Sequence, residues 1–224
     1  MNSVGIIIPI FNEQNTILKI AKSISKYGTL VCINDGSTDN SANILQENGF
    51  FVKSHSKNLG YEAALNTGFI EASKLKFDIV VTMDADGQHN PFLVEGFIDK
   101  IKEGCDVVLG IRSEIPRFSE KLFAFYSRAR FNIVDPCCGL KAYRMSVFMD
   151  KGSFDKYKTI GTELAFFSVH NRYKIGQLPF NVENRHDESR FGSKIQANTK
   201  ILLAIVRSIV NNSKIINKRI TKIK

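Results

Sequence analysis

The sequence predicts an α/β protein with a mainly parallel central sheet covered by helices on both faces. Short apolar runs alternate with segments of helical spacing through the first half of the chain. Such βαβ alternation is typical of parallel sheets that are buried on both sides. The chain of 224 residues is long enough for a substantial core. Its composition, with 43% hydrophobic and 24% charged residues, is that of an ordinary globular protein.

The first half of the chain contains the predicted alternation of strands and helices. The strands are apolar runs short enough to be buried strands, at 4–10, 30–33, 50–52, 79–83 and 106–109. The helices have apolar residues that recur every three or four positions, as Ile17, Ile20 and Ile24 do, and are predicted at 13–26, 38–47, 61–74 and 92–103. Thr38 is expected to cap the second helix, and Pro91 to lie in the first turn of the fourth.

The second half is less regular. Residues 111–135 are predicted as a loop plus one basic helix, 139–144 and 173–182 as strands, and 163–172 as a helix. From residue 195 onward, apolar residues again follow a helical repeat, with basic residues between them. We therefore expect a main domain over residues 1–194 and a basic amphipathic helix over residues 195–224.

The net charge of +9 is concentrated in the C-terminal tail. No acidic residue follows Glu188, whereas eight basic residues lie between Lys194 and Lys224. A nucleic-acid partner is not expected, because the body is close to neutral and the tail lacks interleaved aromatic residues for base stacking. The pattern favours binding of the tail to an anionic membrane surface. Packing on its own domain, or on a second copy in a homodimer, is the alternative.

Cysteine usage and the N-terminus both indicate the cytoplasm. The four cysteines have neither Cys-x-x-Cys nor zinc-site spacing, so reduced cytosolic thiols are expected. The first residues show no signal-peptide pattern. The apolar run at 201–206 is far too short to span a bilayer. We therefore predict a cytoplasmic protein that is peripheral on the cytoplasmic face of a membrane.

Two carboxylates follow the strand predicted at 79–83. Asp84 and Asp86 lie in the segment Asp-Ala-Asp-Gly-Gln-His at 84–89, and ligand sites in open α/β sheets lie beyond the carboxyl ends of strands. Both can turn toward one hard cation, Mg²⁺ or Mn²⁺, which is usually held against a substrate diphosphate. The pair alone is weak evidence for a metal site, because roughly 0.5 Asp-x-Asp pairs are expected by chance in a chain of this composition. His89 is a candidate ligand, or a hydrogen-bond partner of one.

Three further segments lie near strand ends or helix starts. They are Pro-Ile-Phe-Asn-Glu at 9–13, Asn-Asp-Gly-Ser-Thr-Asp at 34–39 and Asn-Leu-Gly at 58–60. Taken singly, the first fits an ordinary helix N-terminus, and the second fits either a capping turn or an Asp35 that bonds a base or ribose. The chain contains neither Gly-x-Gly nor Gly-Lys-Ser/Thr, which excludes the dinucleotide fingerprint and the P-loop. A nucleotide would therefore be held by strand-end side chains and a metal.

These four segments, in this order, closely resemble the family-2 glycosyltransferases, and more narrowly their dolichol- or polyprenyl-phosphate mannosyltransferase-like branch. Later segments are also similar to motifs of the family: Gly-Ile-Arg at 110–112, Asp-Pro-Cys-Cys-Gly-Leu-Lys at 135–141, and Arg-Phe-Gly-Ser-Lys at 190–194, the last shortened by one residue. The resemblance covers about residues 4–194. It implies a Rossmann-like nucleotide-diphospho-sugar transferase (glycosyltransferase-A) fold, with residues 1–194 as the catalytic domain.

The resemblance also implies roles for individual residues. The implied nucleotide-sugar site consists of Pro9, Phe11, Glu13, Asp35, Asp84 and Ala85. The implied metal site consists of Asp84, Asp86 and Gln88. Asp86, Arg112 and Arg190 are the implied catalytic residues, with both arginines clamping phosphate groups. Chemistry supports these roles, because a divalent metal and an arginine both stabilise a departing diphosphate.

We therefore predict a metal-dependent, inverting glycosyltransferase that moves a sugar from a nucleoside-diphosphate sugar to a polyprenyl-phosphate or related glycan-lipid acceptor. A phosphate acceptor needs no general base, whereas a sugar hydroxyl needs a nearby carboxylate. A surface-polysaccharide transferase with Glu163 or Asp135 as that base is the alternative, although a helix or turn charge also explains each residue. A non-catalytic nucleotide-sugar binding protein is a second alternative. Residues 113–134 mix aromatic and basic side chains, which suits either an interfacial helix near head groups or an ordinary core helix.

Overall fold

The computed structural model describes residues 2–183 and 194–223, and the side chains of the last segment over residues 195–211. The strands of this part are β1 (Val4–Ile10), β2 (Thr29–Asn34), β3 (Val52–Ser54), β4 (Ile79–Thr82), β5 (Val107–Arg112), β6 (Lys141–Arg144) and β7 (Ile175–Phe180). The helices are α1 (Ile17–Ile24), α2 (Ser41–Glu47), α3 (Tyr61–Lys74), α4 (Leu93–Lys102), α5 (Phe118–Phe131), α6 (Met145–Lys151), α7 (Glu163–His170) and α8 (Lys194–Ile223).

All of these strands form one sheet in the order β3-β2-β1-β4-β6-β5-β7. Every pairing is parallel except those of β6, which runs antiparallel to both β4 and β5. The predicted fold class, a mainly parallel sheet with helices on both faces, is therefore confirmed. The sequence did not indicate that the strand after residue 139 would be inserted in the opposite direction.

The central strands are buried on both faces, which explains why they are nearly continuous apolar runs. In β1, Ile6 and Ile8 pack with α1 and α4 residues such as Phe97. Ile7 points to the other face and packs with residues of α3 and α7, including Phe69 and Leu164. Two apolar cores therefore hold the helices against opposite faces of the sheet.

The parallel arrangement brings several loops to one edge of the sheet. β1, β2, β4 and β5 all end there, so the segments that follow them meet. Because β6 runs in the opposite direction, the loop before it arrives at this same edge, and the Thr82 hydroxyl at the end of β4 donates to the Gly139 carbonyl at 2.7 Å. The site described below lies at this edge.

Several boundaries differ from the prediction. The second helix begins at Ser41 with Asn40 in the cap position, and Thr38 does not cap it. Instead, the Thr38 amide donates to the Asn12 side chain at 2.8 Å, which ties two strand-end loops together. The strand predicted from residue 139 begins at Lys141, and helix α6, which directly follows β6, was not predicted.

The basic helix predicted within 111–135 is α5, and the predicted C-terminal helix is α8. The two pack against each other, and the Ser119 hydroxyl donates to the Asn198 side chain at 2.5 Å. Helix α8 therefore packs on its own domain, one of the alternatives for the tail. Over the described residues, no helix combines the length and hydropathy needed to cross a bilayer.

Close packing of α3 on β1 generates a stability prediction for Gly68. A Cβ atom at Gly68 would lie 2.3 Å from Cγ2 of Ile7, which is fully buried and cannot move aside. Gly68→Ala should therefore lower the free energy of unfolding by about 1–3 kcal/mol in urea denaturation. Gly96→Ala is the matched control in α4, where the nearest atom is 4.0 Å away, and it should raise stability by up to about 1 kcal/mol. Equal effects at the two glycines would contradict this packing.

Candidate functional site

A cavity of about 530 Å³ opens at the edge where the parallel strands end. The sequence-predicted residues that line it are Pro9, Phe11, Glu13, Asp35, Asp84, Ala85, Asp86, Gln88 and Arg112. They come from the ends of β1, β2, β4 and β5, which are distant in sequence. In the sheet, β2, β1 and β4 are direct neighbours, and β5 is separated from β4 by β6. The fold thus gathers most of the predicted site residues in one place.

Asp84 is the most constrained carboxylate of the cavity. Its Oδ1 accepts a hydrogen bond from the Tyr61 hydroxyl at 3.1 Å. Burial raises the pKa of Asp84, and the charge of Asp86 raises it further, whereas His89 lowers it. Two neighbouring buried or half-buried carboxylates favour a bound cation, because a cation would offset both their desolvation and their mutual repulsion.

The donor set fits a hard divalent cation that also binds substrate oxygens. The described residues hold no cluster of three or more His, Cys, Asp or Glu side chains with metal-site geometry. Mg²⁺ commonly uses only one or two protein carboxylates together with substrate phosphates, so Asp84 and Asp86 suffice. Cys137 also lines the cavity, but burial raises the pKa of its thiol and disfavours the thiolate form that binds metals.

His89 is not among the residues that line the cavity. It is buried, its ring packs edge-on against Phe180 with centroids 5.5 Å apart, and its Nδ1 has no hydrogen-bond partner among the described residues. Gln88 does line the cavity, and its backbone N–H donates to Asp86 Oδ1 at 3.1 Å. Gln88 is thus a better candidate than His89 for a metal ligand, because Gln88 lines the cavity and His89 does not.

Steric packing explains why the segment at 135–141 has a glycine at position 139. A Cβ atom at Gly139 would lie 2.0 Å from Oδ2 of Asp84, so no side chain fits there. The loop before β6 therefore packs its backbone against the Asp84 carboxylate. The sequence analysis placed Gly139 in a strand and missed this contact, which joins residues far apart in the chain.

Asp35 is 3% exposed and is held by three hydrogen bonds. Its Oδ1 accepts from His55 Nδ1 at 2.7 Å and from the Leu59 amide at 2.9 Å, and its Oδ2 accepts from the Gly60 amide at 2.8 Å. The Asn-Leu-Gly segment at 58–60 thus supplies N–H groups that fix Asp35. This arrangement sets the carboxylate rigidly at the cavity wall.

Arg112 lines the cavity but already bonds two carboxylates. Its Nε donates to Asp135 Oδ2 at 2.7 Å, and its Nη2 donates to Asp135 Oδ1 at 2.9 Å and to Glu120 Oε2 at 2.7 Å. Glu120 also binds Arg117 at 2.6 Å. Burial acts to lower the pKa of Arg112, but the hydrogen bonds and charge of Asp135 raise it overall. The structure shows Arg112 as the centre of an ion-pair network, so clamping a phosphate remains a prediction.

The two candidate bases do not offer a carboxylate to the cavity. Asp135 is 1% exposed and occupied by Arg112. Glu163 lies in a separate pocket of about 280 Å³, where it pairs with Lys151 Nζ at 2.7 Å and accepts from the Lys156 amide at 2.6 Å. The geometry therefore argues against both as the base. Arg190, the other predicted phosphate clamp, lies outside the described residues.

Several lining residues were not foreseen, among them Tyr61, Glu62 and Ala64 of α3 and Glu120 of α5. Two further unforeseen parts come from later in the chain. One is the loop before α7, which contributes Lys158 and Ile160. The other is helix α8, which contributes Lys200, Ile201, Leu203 and Arg207. No motif marks these residues, because their position depends on tertiary packing of the last helix.

Comparison with known proteins gives a consistent picture. The family model "Glycosyl transferase family 2" matches residues 5–173. The chain is 32% identical over 164 residues to the undecaprenyl-phosphate 4-deoxy-4-formamido-L-arabinose transferase of Shewanella sediminis, covering 64% of this chain and only 49% of that protein. It therefore spans about half the length of that relative.

A second relative is matched over nearly its whole length. The UDP-N-acetylglucosamine–dolichyl-phosphate N-acetylglucosaminyltransferase of Methanococcus voltae is 24% identical over 236 residues, which cover 90% of this chain and 94% of that protein. Among solved structures, glucosyl-3-phosphoglycerate synthase of Mycobacterium tuberculosis, crystallised with Mn²⁺ and UDP-glucose, superposes with a TM-score of 0.72 at 20% identity. The match covers 92% of this chain and 79% of the other.

The buried network around Arg112 predicts a large stability effect of Asp135→Asn. The substitution keeps the shape but removes the charge that offsets the guanidinium, so the free energy of unfolding should fall by about 2–3 kcal/mol. Glu103→Gln removes one partner of the exposed Lys100–Glu103 pair and should change stability by less than about 0.5 kcal/mol. Chemical denaturation of both variants measures this difference. An effect of Asp135→Asn as small as that of Glu103→Gln would show that the network contributes little.

Proposed function

Because the chain belongs to glycosyl transferase family 2 and has the glycosyltransferase-A fold, we propose that it is a metal-dependent, inverting transferase acting on a nucleoside-diphosphate sugar. The proposed acceptor is a polyprenyl phosphate or a related glycan-lipid. The observation that carries the proposal is the pair Asp84 and Asp86, set in one cavity with the side chains from the ends of β1 and β2.

Each part of the donor has residues that suit it. Pro9 and Phe11 offer apolar contacts to the nucleotide, and Asp35 offers a rigid acceptor for an N–H of the base or a ribose hydroxyl. Ala85 is set against the sugar, and its carbonyl is fixed by the Thr16 hydroxyl at 2.7 Å. Asp84, Asp86 and Gln88 would hold Mg²⁺ or Mn²⁺, which supplies positive charge to the departing diphosphate. The M. tuberculosis structure with Mn²⁺ and UDP-glucose supports this assignment by analogy of fold.

A lipid phosphate suits the acceptor side. The two relatives are named as transferases acting on undecaprenyl phosphate and dolichyl phosphate. A phosphate oxygen attacks the anomeric carbon as its bond to the diphosphate breaks, and this single displacement inverts the configuration. The oxygen is already anionic, so no base is needed. The burial and ion pairing of Asp135 and Glu163 support this choice over a sugar-hydroxyl acceptor that depends on either of them.

We place the enzyme on the cytoplasmic face of a membrane, with α8 facing the anionic surface. Support comes from the exposed apolar residues of α8, such as Leu202 and Val206, and from the basic residues of this helix. Helices with an apolar face and basic residues lie in the membrane interface.

Donor binding provides the main test of this function. A panel of nucleotide sugars with Mn²⁺ is read by thermal shift, and the preferred one should stabilise the protein by about 2.7 kcal/mol at 100 times its dissociation constant. Chelation of Mn²⁺ should remove most of this effect, and Asp86→Asn should abolish both the shift and sugar transfer. Asp99→Asn, on the exposed face of α4, serves as the control and should change neither. Full transfer activity in Asp86→Asn would rule out the metal mechanism.

A separate prediction concerns the general base. Glu163→Gln should leave the rate of sugar transfer within about twofold of the parent, because its carboxylate lies outside the cavity. Its stability should fall by about 1 kcal/mol, because the bond to Lys151 is weakened. Steady-state kinetics and thermal denaturation of one preparation measure both quantities. A turnover at least a hundredfold lower, with donor binding intact, would instead identify Glu163 as a base.

A further inference from the structure

Helix α8 presents three distinct faces over its described side chains. Since an α-helix turns about 100° per residue, positions three, four and seven apart share a face. One face is buried against the domain and consists of Ala197, Ile201, Ala204, Ile205 and Ser208. This face fixes the rotation of the helix and so determines where the other two point.

The second face borders the cavity and carries two cations. Lys200, Leu203 and Arg207 follow the i, i+3, i+7 spacing, and all three line the cavity. Arg207 Nη1 also donates to the Lys158 carbonyl at 3.3 Å, so the helix is joined to the loop before α7. Lys158 lines the cavity as well. Three cations from two separate elements thus converge on one wall.

The loop that carries Lys158 is held in an unusual conformation. Lys158 and Ile160 both have φ near +55°, a region that is costly for a β-branched residue such as isoleucine. The Asp155 carboxylate compensates by accepting from the amides of Thr159 at 3.0 Å and Gly161 at 2.9 Å. The backbone at Lys158 is therefore fixed next to the cavity.

The third face of α8 is apolar and exposed. Leu202, Val206 and Ile209 are 44%, 58% and 43% exposed. The neighbouring helix α5 adds Phe118 and Phe125, which are 77% and 75% exposed. Helices α5 and α8 pack against each other and both reach the cavity, through Glu120 and Lys200. Their exposed apolar residues therefore lie on two neighbouring helices at the cavity, and exposed apolar surfaces of this kind mark binding sites.

We propose that Lys158, Lys200 and Arg207 bind the phosphate of a lipid monophosphate acceptor, whose hydrocarbon chain lies on the apolar surface of α5 and α8. The inference rests on the proposed function and assigns the acceptor half of its site. The charges match, because three cations face a phosphate dianion while the carboxylates Asp84 and Asp86 serve the donor's metal. Within residues 195–211, the outward face of α8 is mainly apolar, whereas Lys200 and Arg207 line the cavity, so these two cations are placed for a ligand in the cavity.

The test uses the full chain with the double variant Lys200→Gln/Arg207→Gln and farnesyl phosphate as the probe. Both side chains are exposed, so folding should be retained. The affinity for farnesyl phosphate, measured by calorimetry, should fall at least about tenfold, since hydrogen bonds to charged groups are lost. The affinity for farnesol should not change. The matched control Lys19→Gln/Lys22→Gln removes two exposed cations from α1, away from the cavity, and should bind farnesyl phosphate like the parent.

The apolar surface is tested with Phe118→Ser/Phe125→Ser. The affinity of this variant for farnesyl phosphate should fall about tenfold, because apolar contacts to the chain are lost. Its affinity for butyl phosphate, which has a short chain, should equal that of the parent. Unchanged affinity of either double variant for farnesyl phosphate would overturn the corresponding half of the inference.

Donor binding, measured on the same variants with Mn²⁺ and the preferred nucleotide sugar, separates this inference from the proposed function. Intact donor affinity in Lys200→Gln/Arg207→Gln supports the assignment. An equal loss of donor and farnesyl phosphate binding would assign the cations to the donor diphosphate and overturn the inference, leaving the proposed function in place. A parent that binds farnesyl phosphate through these cations but binds no nucleotide sugar would overturn the proposed function and leave the lipid-phosphate site.

Discussion

The edge of the sheet where the parallel strands end holds several carboxylates away from bulk water, and each has to be compensated. Burying an ionised carboxylate is costly unless hydrogen bonds or opposite charges replace its water. Asp35 accepts hydrogen bonds from two backbone N–H groups and from His55. Asp135 accepts hydrogen bonds from Nε and Nη2 of Arg112. Asp84 accepts a hydrogen bond from the Tyr61 hydroxyl, and burial still raises the pKa of its carboxyl. Of these three carboxylates, Asp84 is thus the one whose charge burial still disfavours, and a cation bound beside it and Asp86 would offset that cost.

This constraint also explains features that look incidental in the sequence. Gly139 is a glycine because the Asp84 carboxylate occupies the space of its side chain. The segment at 58–60 is needed for its amides, which only a particular backbone conformation can direct at one carboxylate. Motifs spread over more than a hundred residues therefore act as one unit, since each bonds, or leaves space for, a carboxylate contributed by another.

Local sequence information was sufficient for the fold class, for the family and for naming residues that line the cavity at the strand ends. Strand β1 and helix α3 were predicted with their observed bounds, because β1 is one uninterrupted apolar run and α3 begins directly after Gly60. The family resemblance drawn from the motifs is confirmed by the match over residues 5–173. The direction of β6, the pairing of Arg112 with Asp135 and the approach of α8 to the cavity were not predictable in this way. Each depends on contacts between distant segments, and neither periodicity nor spacing encodes which segments will meet.

The reversed direction of β6 has a consequence for how the chain is divided. The residues proposed to bind the donor all come before residue 89, at the ends of β1, β2 and β4. The later residues that line the cavity begin at Arg112 and continue through Lys158 to Arg207. The two substrates of the proposed reaction therefore correspond to two successive stretches of the polypeptide, which meet because β6 enters the sheet between β4 and β5. Under the proposed assignment, substitutions in the second stretch would alter acceptor choice while the nucleotide-sugar site of the first stretch stays unchanged.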